Sequence, residues 1–182
     1  MSINMNVPNK LTMGRIILAI PFIYFLGMSN GSNGFTYRMI ALVLFALASI
    51  TDFLDGYIAR KNNMITDFGK LMDPLADKIL VISALVVFVE IDFLPSWISI
   101  VVLAREFLIS GIRSLAAANG EVIAAGNLGK YKTTAQMIGI IIIMLIGGTP
   151  YNTWIMLPSV ILTVWSGWDY SVKAKHYFIN MK

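Results

Sequence analysis

Six stretches of this 182-residue chain are candidate membrane spans by length and apolar content, which constrains the expected fold before anything else. A membrane helix needs about 20 mainly apolar residues. The runs fall at 12–29, 35–60, 68–90, 94–118, 129–148 and 153–173. Turn-forming residues separate them: SNGSNG after the first, DFLP after the third, ANG after the fourth and GGTPYN after the fifth. Hydrophobic residues make up 57% of the chain and charged ones only 13%. An average soluble domain has about 45–50% apolar and about 25% charged residues. The expected fold class is therefore all-α integral membrane, one domain over 1–182 with six transmembrane helices. The first run continues to about Met28 with no small-residue cleavage pattern and reads as a retained span. The absence of cysteine excludes disulfides, zinc–thiolate centres and thiol nucleophiles.

Orientation follows from the basic residues that flank the spans. Lys10, Arg15, Arg60, Lys61, Lys70, Arg113, Lys130, Lys132, Lys173, Lys175 and Lys182 collect on one side. The other side has Arg38 beside Glu90 and Asp92. Six spans return both termini to the basic, cytoplasmic side. The net charge of +4 thus records topology and implies no nucleic-acid partner. Trp154, Trp165, Trp168 and Tyr170 read as interface anchors and lipid-facing aromatics, Pro21 as a kink in the first span, and His176 as a solvated residue.

Against this background the segment TDFLDGYIARKNNMITDFGKLMDPLADK, residues 51–78, is anomalous, because it sets five aspartates between two apolar runs. Asp52, Asp55, Gly56 and Ala59 stand at i, i+3, i+4 and i+7 on the second predicted helix. Gly69, Asp73 and Asp77 stand at i, i+4 and i+8 on the third, and Asp67 is expected in the loop before it. Running in opposite directions, the two helices bring two carboxylates each to matching depth, about 8–12 Å inside the cytoplasmic end for the second helix at about 1.5 Å per residue. Four anions at that depth repel one another unless some are protonated or a cation lies among them. Clustered aspartates without His or Cys suit Mg2+ or Mn2+. Two such ions would balance four acids, and paired ions suit phosphoryl transfer.

The pattern Asp52-x2-Asp55-Gly56-x2-Ala59-Arg60-x8-Gly69-x3-Asp73-x3-Asp77 resembles the full signature of the CDP-alcohol phosphotransferases. Pro8-Asn9-Lys10-Leu11-Thr12 with Arg15, Arg105-Glu106-Phe107, Gly111-x-Arg113 and Gly129-Lys130-x-Lys132-Thr133-x2-Gln136 are similar to the branch of that family that makes phosphatidylglycerophosphate. The resemblance implies a six-helix fold in the bacterial inner membrane, a homodimer, and an active site facing the cytoplasm. It implies that Asp52, Asp55 and Asp73 ligate a first metal, that Asp77 contributes to a second, and that Asp77 is the general base. Gly56, Ala59 and Gly69 would leave space for the nucleotide of CDP-diacylglycerol, with Arg60 near its phosphates.

The acceptor has to be read from other residues, since the signature belongs to the whole family. Arg105, Arg113, Lys130 and Lys132 could together seat a phosphate, which favours sn-glycerol 3-phosphate over an uncharged acceptor. The expected reaction transfers the phosphatidyl group from CDP-diacylglycerol to glycerol 3-phosphate and releases CMP. Inositol phosphate, phosphatidylglycerol or serine as acceptor is the nearest alternative. A divalent-cation transporter is a more distant one, since it would spread its acids across the membrane depth.

Overall fold

The computed structural model describes residues 7–61, 67–118 and 126–174; within the helices, the side chains at 7–8, 52–61, 67–71, 73–74, 77, 118, 127 and 173 lie outside that description. Among the described residues the elements are α1 (Val7–Gly27), a 3-10 turn (Met28–Asn30), α2 (Gly34–Lys61), α3 (Asp67–Glu90), α4 (Ser96–Ala118), α5 (Asn127–Ile146) and α6 (Asn152–Lys173). The six helices follow the six apolar runs, with two displaced starts. The first helix begins at Val7 and not near 12, so the polar segment Pro8–Thr12 is helical. Proline suits a first helical turn, where its missing N–H would have had no partner. Asp67 is the first residue of α3 and not a loop residue; a carboxylate is favoured at a helix N-terminus by the helix dipole.

Among the described residues, three helical stretches are long and apolar enough to cross a membrane by length and composition: Asn9–Asn30, Gly34–Thr51 and Leu128–Ile146. The chain is a multi-pass membrane protein. Its contacts divide it into two compact units, one of Met1–Asp92 with Met144–Gly147 and the other of Phe93–Ile143 with Gly148–Lys182.

In the first unit α1 packs against both α2 and α3. The rings of Phe25 and Tyr37 stack with centroids 6.1 Å apart, and those of Phe22 and Phe45 meet at 5.7 Å, so α1 and α2 run antiparallel. Helical periodicity decides which residues are buried. On α1 the buried stripe is Asn9, Thr12, Arg15, Ala19, Phe22 and Leu26; on α2 it is Ala41, Phe45 and Ala48; on α3 it is Ala76, Leu80, Ala84, Val87 and Phe88. Alanines in these stripes let helix backbones approach closely where lipid supplies no hydrophobic drive.

Arg38 joins the end of α5 to this unit. Its Nε donates to the Met144 carbonyl at 3.2 Å, placing a cation at the negative end of that helix. Gly147 follows with φ +82°, and its Cα faces the Arg38 guanidinium so closely that a Cβ would stand 2.9 Å from Cζ. Asp92, at φ 59°, makes the turn after α3; aspartate is among the few non-glycine residues that visit this region readily.

In the second unit α4 packs against α6. The buried stripe of α4 is Ile98, Val102, Ile109, Ile112 and Ala116, and that of α6 includes Met156, Thr163, Ser166 and Tyr170, with Ala174 buried just after its end. Gly139 brings α5 onto α6, since a Cβ there would lie 2.6 Å from the Met156 Sδ. Asn152, buried at the start of α6, donates from Nδ2 to the Phe93 carbonyl at 3.1 Å. The outward aromatics of α6 are Trp154, Trp165 and Trp168. Tyr170 corrects the sequence reading: it is 6% exposed, because its position continues the stripe that meets α4. Pro21 and Pro158 both lie inside continuous helices.

Gly147→Ala should therefore destabilise the protein by about 1–3 kcal/mol, from the positive φ and the contact with Arg38. A lower melting temperature of the detergent-purified protein, with Gly31→Ala as the control, checks this.

Candidate active site

The signature residues lie on two helices whose described portions fix their register. The α2 stripe Ala41, Phe45, Ala48 advances by alternating steps of four and three. Continued at that spacing along the helix, which runs unbroken to Lys61, it reaches positions 52, 55 and 59. The α3 stripe, followed backwards from Leu80 and Ala76, reaches 73 and 69, with 77 beside 76. The side chains of Asp52, Asp55, Gly56, Ala59, Arg60, Gly69, Asp73 and Asp77 lie outside the described residues. The helix phase is what the structure contributes to this part of the site.

Helix α1 adds residues that the sequence reading used for topology and family resemblance but did not place at the site. Below Phe22 its buried stripe turns polar, with Arg15 1%, Thr12 0% and Asn9 5% exposed. Arg15 lies seven positions from Phe22, and Asp52 seven from Phe45 on the antiparallel partner, which is about 10 Å along each helix. The ring contact of Phe22 with Phe45 thus sets a buried arginine level with the start of the acidic signature. The spacing 9, 12, 15, 19, 22 was the available signal; it was hidden because the span was expected to start at 12.

The second unit has a built polar cluster inside its own core. Arg105 stands at the break in the α4 stripe, between Val102 and Ile109, so the phase that buries those residues also carries the arginine inward. Its Nη1 donates to Glu106 Oε1 at 3.1 Å and its Nη2 to Ser166 Oγ at 3.1 Å. Lys132 Nζ donates to the same Glu106 oxygen, and its side chain is 5% exposed, against 12% for Glu106 and 14% for Arg105. Two cations thus share one carboxylate oxygen in a largely desolvated site. Two donors here have no hydrogen bond among the described residues, Arg105 Nε and Gln136 Nε2. Gln136 is 1% exposed and lies one turn beyond Lys132 on α5.

Of the four basic residues singled out from sequence, the structure brings Arg105 and Lys132 together. Arg113 is exposed two turns along α4; its Nε donates to the Tyr170 hydroxyl at 3.2 Å, and its guanidinium sits 5.4 Å from the centre of that ring. Lys130 is exposed at the start of α5. Glu106 and Ser166 were not among the expected site residues. The neighbourhood of Arg105 hinted at the first, and nothing in the local sequence of α6 marks the second.

Comparison with known proteins decides the family. The sequence pattern of the CDP-alcohol phosphatidyltransferases matches residues 5–165. The chain belongs to the CDP-alcohol phosphatidyltransferase family. It is also 40% identical to a Bacillus subtilis protein named CDP-diacylglycerol–glycerol-3-phosphate 3-phosphatidyltransferase, over 92% of this chain and 94% of that one. Proteins of the same name from Rickettsia prowazekii and Haemophilus influenzae are 40% and 38% identical, covering 98% and 93% of this chain and 100% and 94% of theirs.

Glu106 should be the most sensitive residue of the cluster for stability. Truncating it leaves two buried cations facing each other, and breaking a buried pair this way costs about 3–5 kcal/mol. Glu106→Ala is expected to lower the melting temperature sharply, and adding Lys132→Met should recover part of the loss. Thermal unfolding of the single and double variants checks the order.

Proposed function

We propose that the chain transfers the phosphatidyl group of CDP-diacylglycerol to sn-glycerol 3-phosphate, giving phosphatidylglycerophosphate and CMP. The observation that carries the acceptor is the Arg105–Glu106–Lys132 cluster, two cations around one carboxylate, with a buried Arg105 Nε that has no hydrogen bond among the described residues. A buried donor without a partner is costly, and a phosphate oxygen would satisfy it through a charge-assisted bond. Arg113 and Lys130, both exposed, would complete the recognition of the phosphate. The names of the relatives agree with this acceptor.

Asp52, Asp55, Asp73 and Asp77 would hold two divalent ions, Mg2+ or Mn2+; all four offer hard oxygen ligands, and the chain has no thiol to compete for a softer metal. When bound, such ions neutralise charge on the pyrophosphate of the donor. Gly56, Ala59 and Gly69 give the nucleotide room, and Arg60 lies near its phosphates. Asp77 takes the proton from the acceptor hydroxyl as the new oxygen–phosphorus bond forms. The bond from that phosphorus to the CMP oxygen breaks, and CMP leaves. The diacylglycerol chains stay in lipid, while glycerol 3-phosphate arrives from the cytoplasm.

The accompanying topology has six spans, both termini cytoplasmic, in the inner membrane of a bacterial cell, and the enzyme works as a homodimer. The clustering of Lys and Arg on one side of the spans supports this orientation.

Four measurements test the reading. Purified enzyme given CDP-diacylglycerol should release CMP in proportion to added glycerol 3-phosphate; release with inositol phosphate or serine but not with glycerol 3-phosphate would overturn the acceptor. Asp77→Asn should lower the rate by about 10²–10⁴-fold, and chelation of divalent ions should abolish it reversibly. Since the chain has no cysteine, single cysteines at 33 and 149 should react with an impermeant maleimide from outside the cell, and one at 120 only after permeabilisation.

A further inference from the structure

Helix α6 carries no part of the family signature, yet both arginines of α4 end on it. Arg105 rests in a seat made by two consecutive residues. The Ser166 hydroxyl donates its proton to the Thr163 carbonyl at 3.1 Å, which turns an oxygen lone pair toward Arg105 Nη2 at 3.1 Å. Gly167 then gives the arginine stem its room, because a Cβ there would stand 3.2 Å from Arg105 Cγ. Ser166 is 3% exposed, so no water competes for the bond. One turn further on, Tyr170 receives Arg113 through both its hydroxyl and its ring. The arginines are eight residues apart on α4, and their seats are four apart on α6. The last helix thus gathers two cations that α4 alone would keep two turns apart.

We infer that α6 is the positioning element of the acceptor-phosphate site, with Ser166 and Gly167 orienting Arg105 and Tyr170 orienting Arg113. The inference rests on the reading that these arginines bind the phosphate of glycerol 3-phosphate. Neither Ser166 nor Tyr170 touches substrate; each acts through its arginine. With Nη1 on Glu106 and Nη2 on Ser166, the guanidinium is held in rotation, and Nε, which has no hydrogen bond among the described residues, is one of its N–H groups left for the ligand. Arg113 is exposed and keeps the face of the ring even without the hydroxyl, so its dependence on Tyr170 is the weaker of the two.

The test is a pair of double-mutant cycles on the purified full-length enzyme, reading kcat and KM for glycerol 3-phosphate and for CDP-diacylglycerol separately. Ser166→Ala should raise the KM for glycerol 3-phosphate about tenfold, the loss expected when a buried charged donor is left unsatisfied. The KM for CDP-diacylglycerol should change by less than about twofold, and in an Arg105→Ala background Ser166→Ala should have no further effect beyond that margin. Tyr170→Phe should cost about threefold, a loss that disappears in Arg113→Ala. Ser166→Thr, which keeps the hydroxyl, should restore the wild-type KM. Gly167→Ala, which crowds the same seat by a different route, should repeat the acceptor-selective loss, and gives a second reading if Ser166→Ala folds poorly.

Effects of Ser166→Ala and Arg105→Ala that multiply would overturn the positioning role, as would equal losses toward both substrates. If Arg105→Ala and Arg113→Ala leave the KM for glycerol 3-phosphate unchanged while CMP is still released, the acceptor reading fails and the inference with it. Wild-type enzyme that releases no CMP with glycerol 3-phosphate would instead refute the proposed reaction itself.

Discussion

An ionised side chain on an apolar helix is tolerable only where the helix turns it toward a counter-charge or a hydrogen-bonding partner. The structure of this protein depends on that constraint. Each helix has one buried stripe, set by its 3.6-residue period. The stripes of α1, α4, α5 and α6 are apolar over part of their length and polar over the rest. Arg15, Arg105, Lys132 and Gln136 all occupy stripe positions. Arg15, Lys132 and Gln136 are buried, and Arg105 nearly so, because the same periodicity buries Phe22, Ile109 and Ile140. Helix packing and site construction are therefore one arrangement and not two.

Small residues make this possible. Apolar contact gains little in lipid, so helices associate through close backbone approach and internal polar bonds. Gly139 and Gly167 serve that approach directly, the first against Met156 and the second against the Arg105 stem. Serine and threonine on α6 return their hydroxyl protons to the carbonyls of the preceding turn, as Thr163 does to Ser159 at 2.6 Å and Ser166 to Thr163 at 3.1 Å. That satisfies the donors locally and leaves oxygen lone pairs for a neighbouring helix. Arg105 uses one of them.

Much of this was legible in the chain. The six helices follow the six apolar runs, and the acidic signature indicated the family before any comparison did. Two starts were misplaced, at Val7 and Asp67, because hydropathy measures the lipid-compatible part of a helix and not its polar first turns. Tyr170 was read as lipid-facing from its companions Trp165 and Trp168, yet it is buried. An aromatic residue near a membrane interface has the same local signature whether it faces lipid or an arginine. Ser166 had no signature at all, since a serine in an apolar helix is common and only its neighbour on α4 makes it a seat.

The sequence by itself determined the elements and the chemistry. Hydropathy, phase and the spacing of the aspartates depend on residues close together along the chain. These set the helices, the acidic signature and the expectation of a phosphorylated acceptor. Only the tertiary structure decided which cation meets which partner. Glu106 is adjacent to Arg105 in sequence but 26 residues from Lys132, and Arg105 lies 61 residues from Ser166. Contacts at those separations are chosen by which faces of α4, α5 and α6 pack together, and no local pattern encodes that choice.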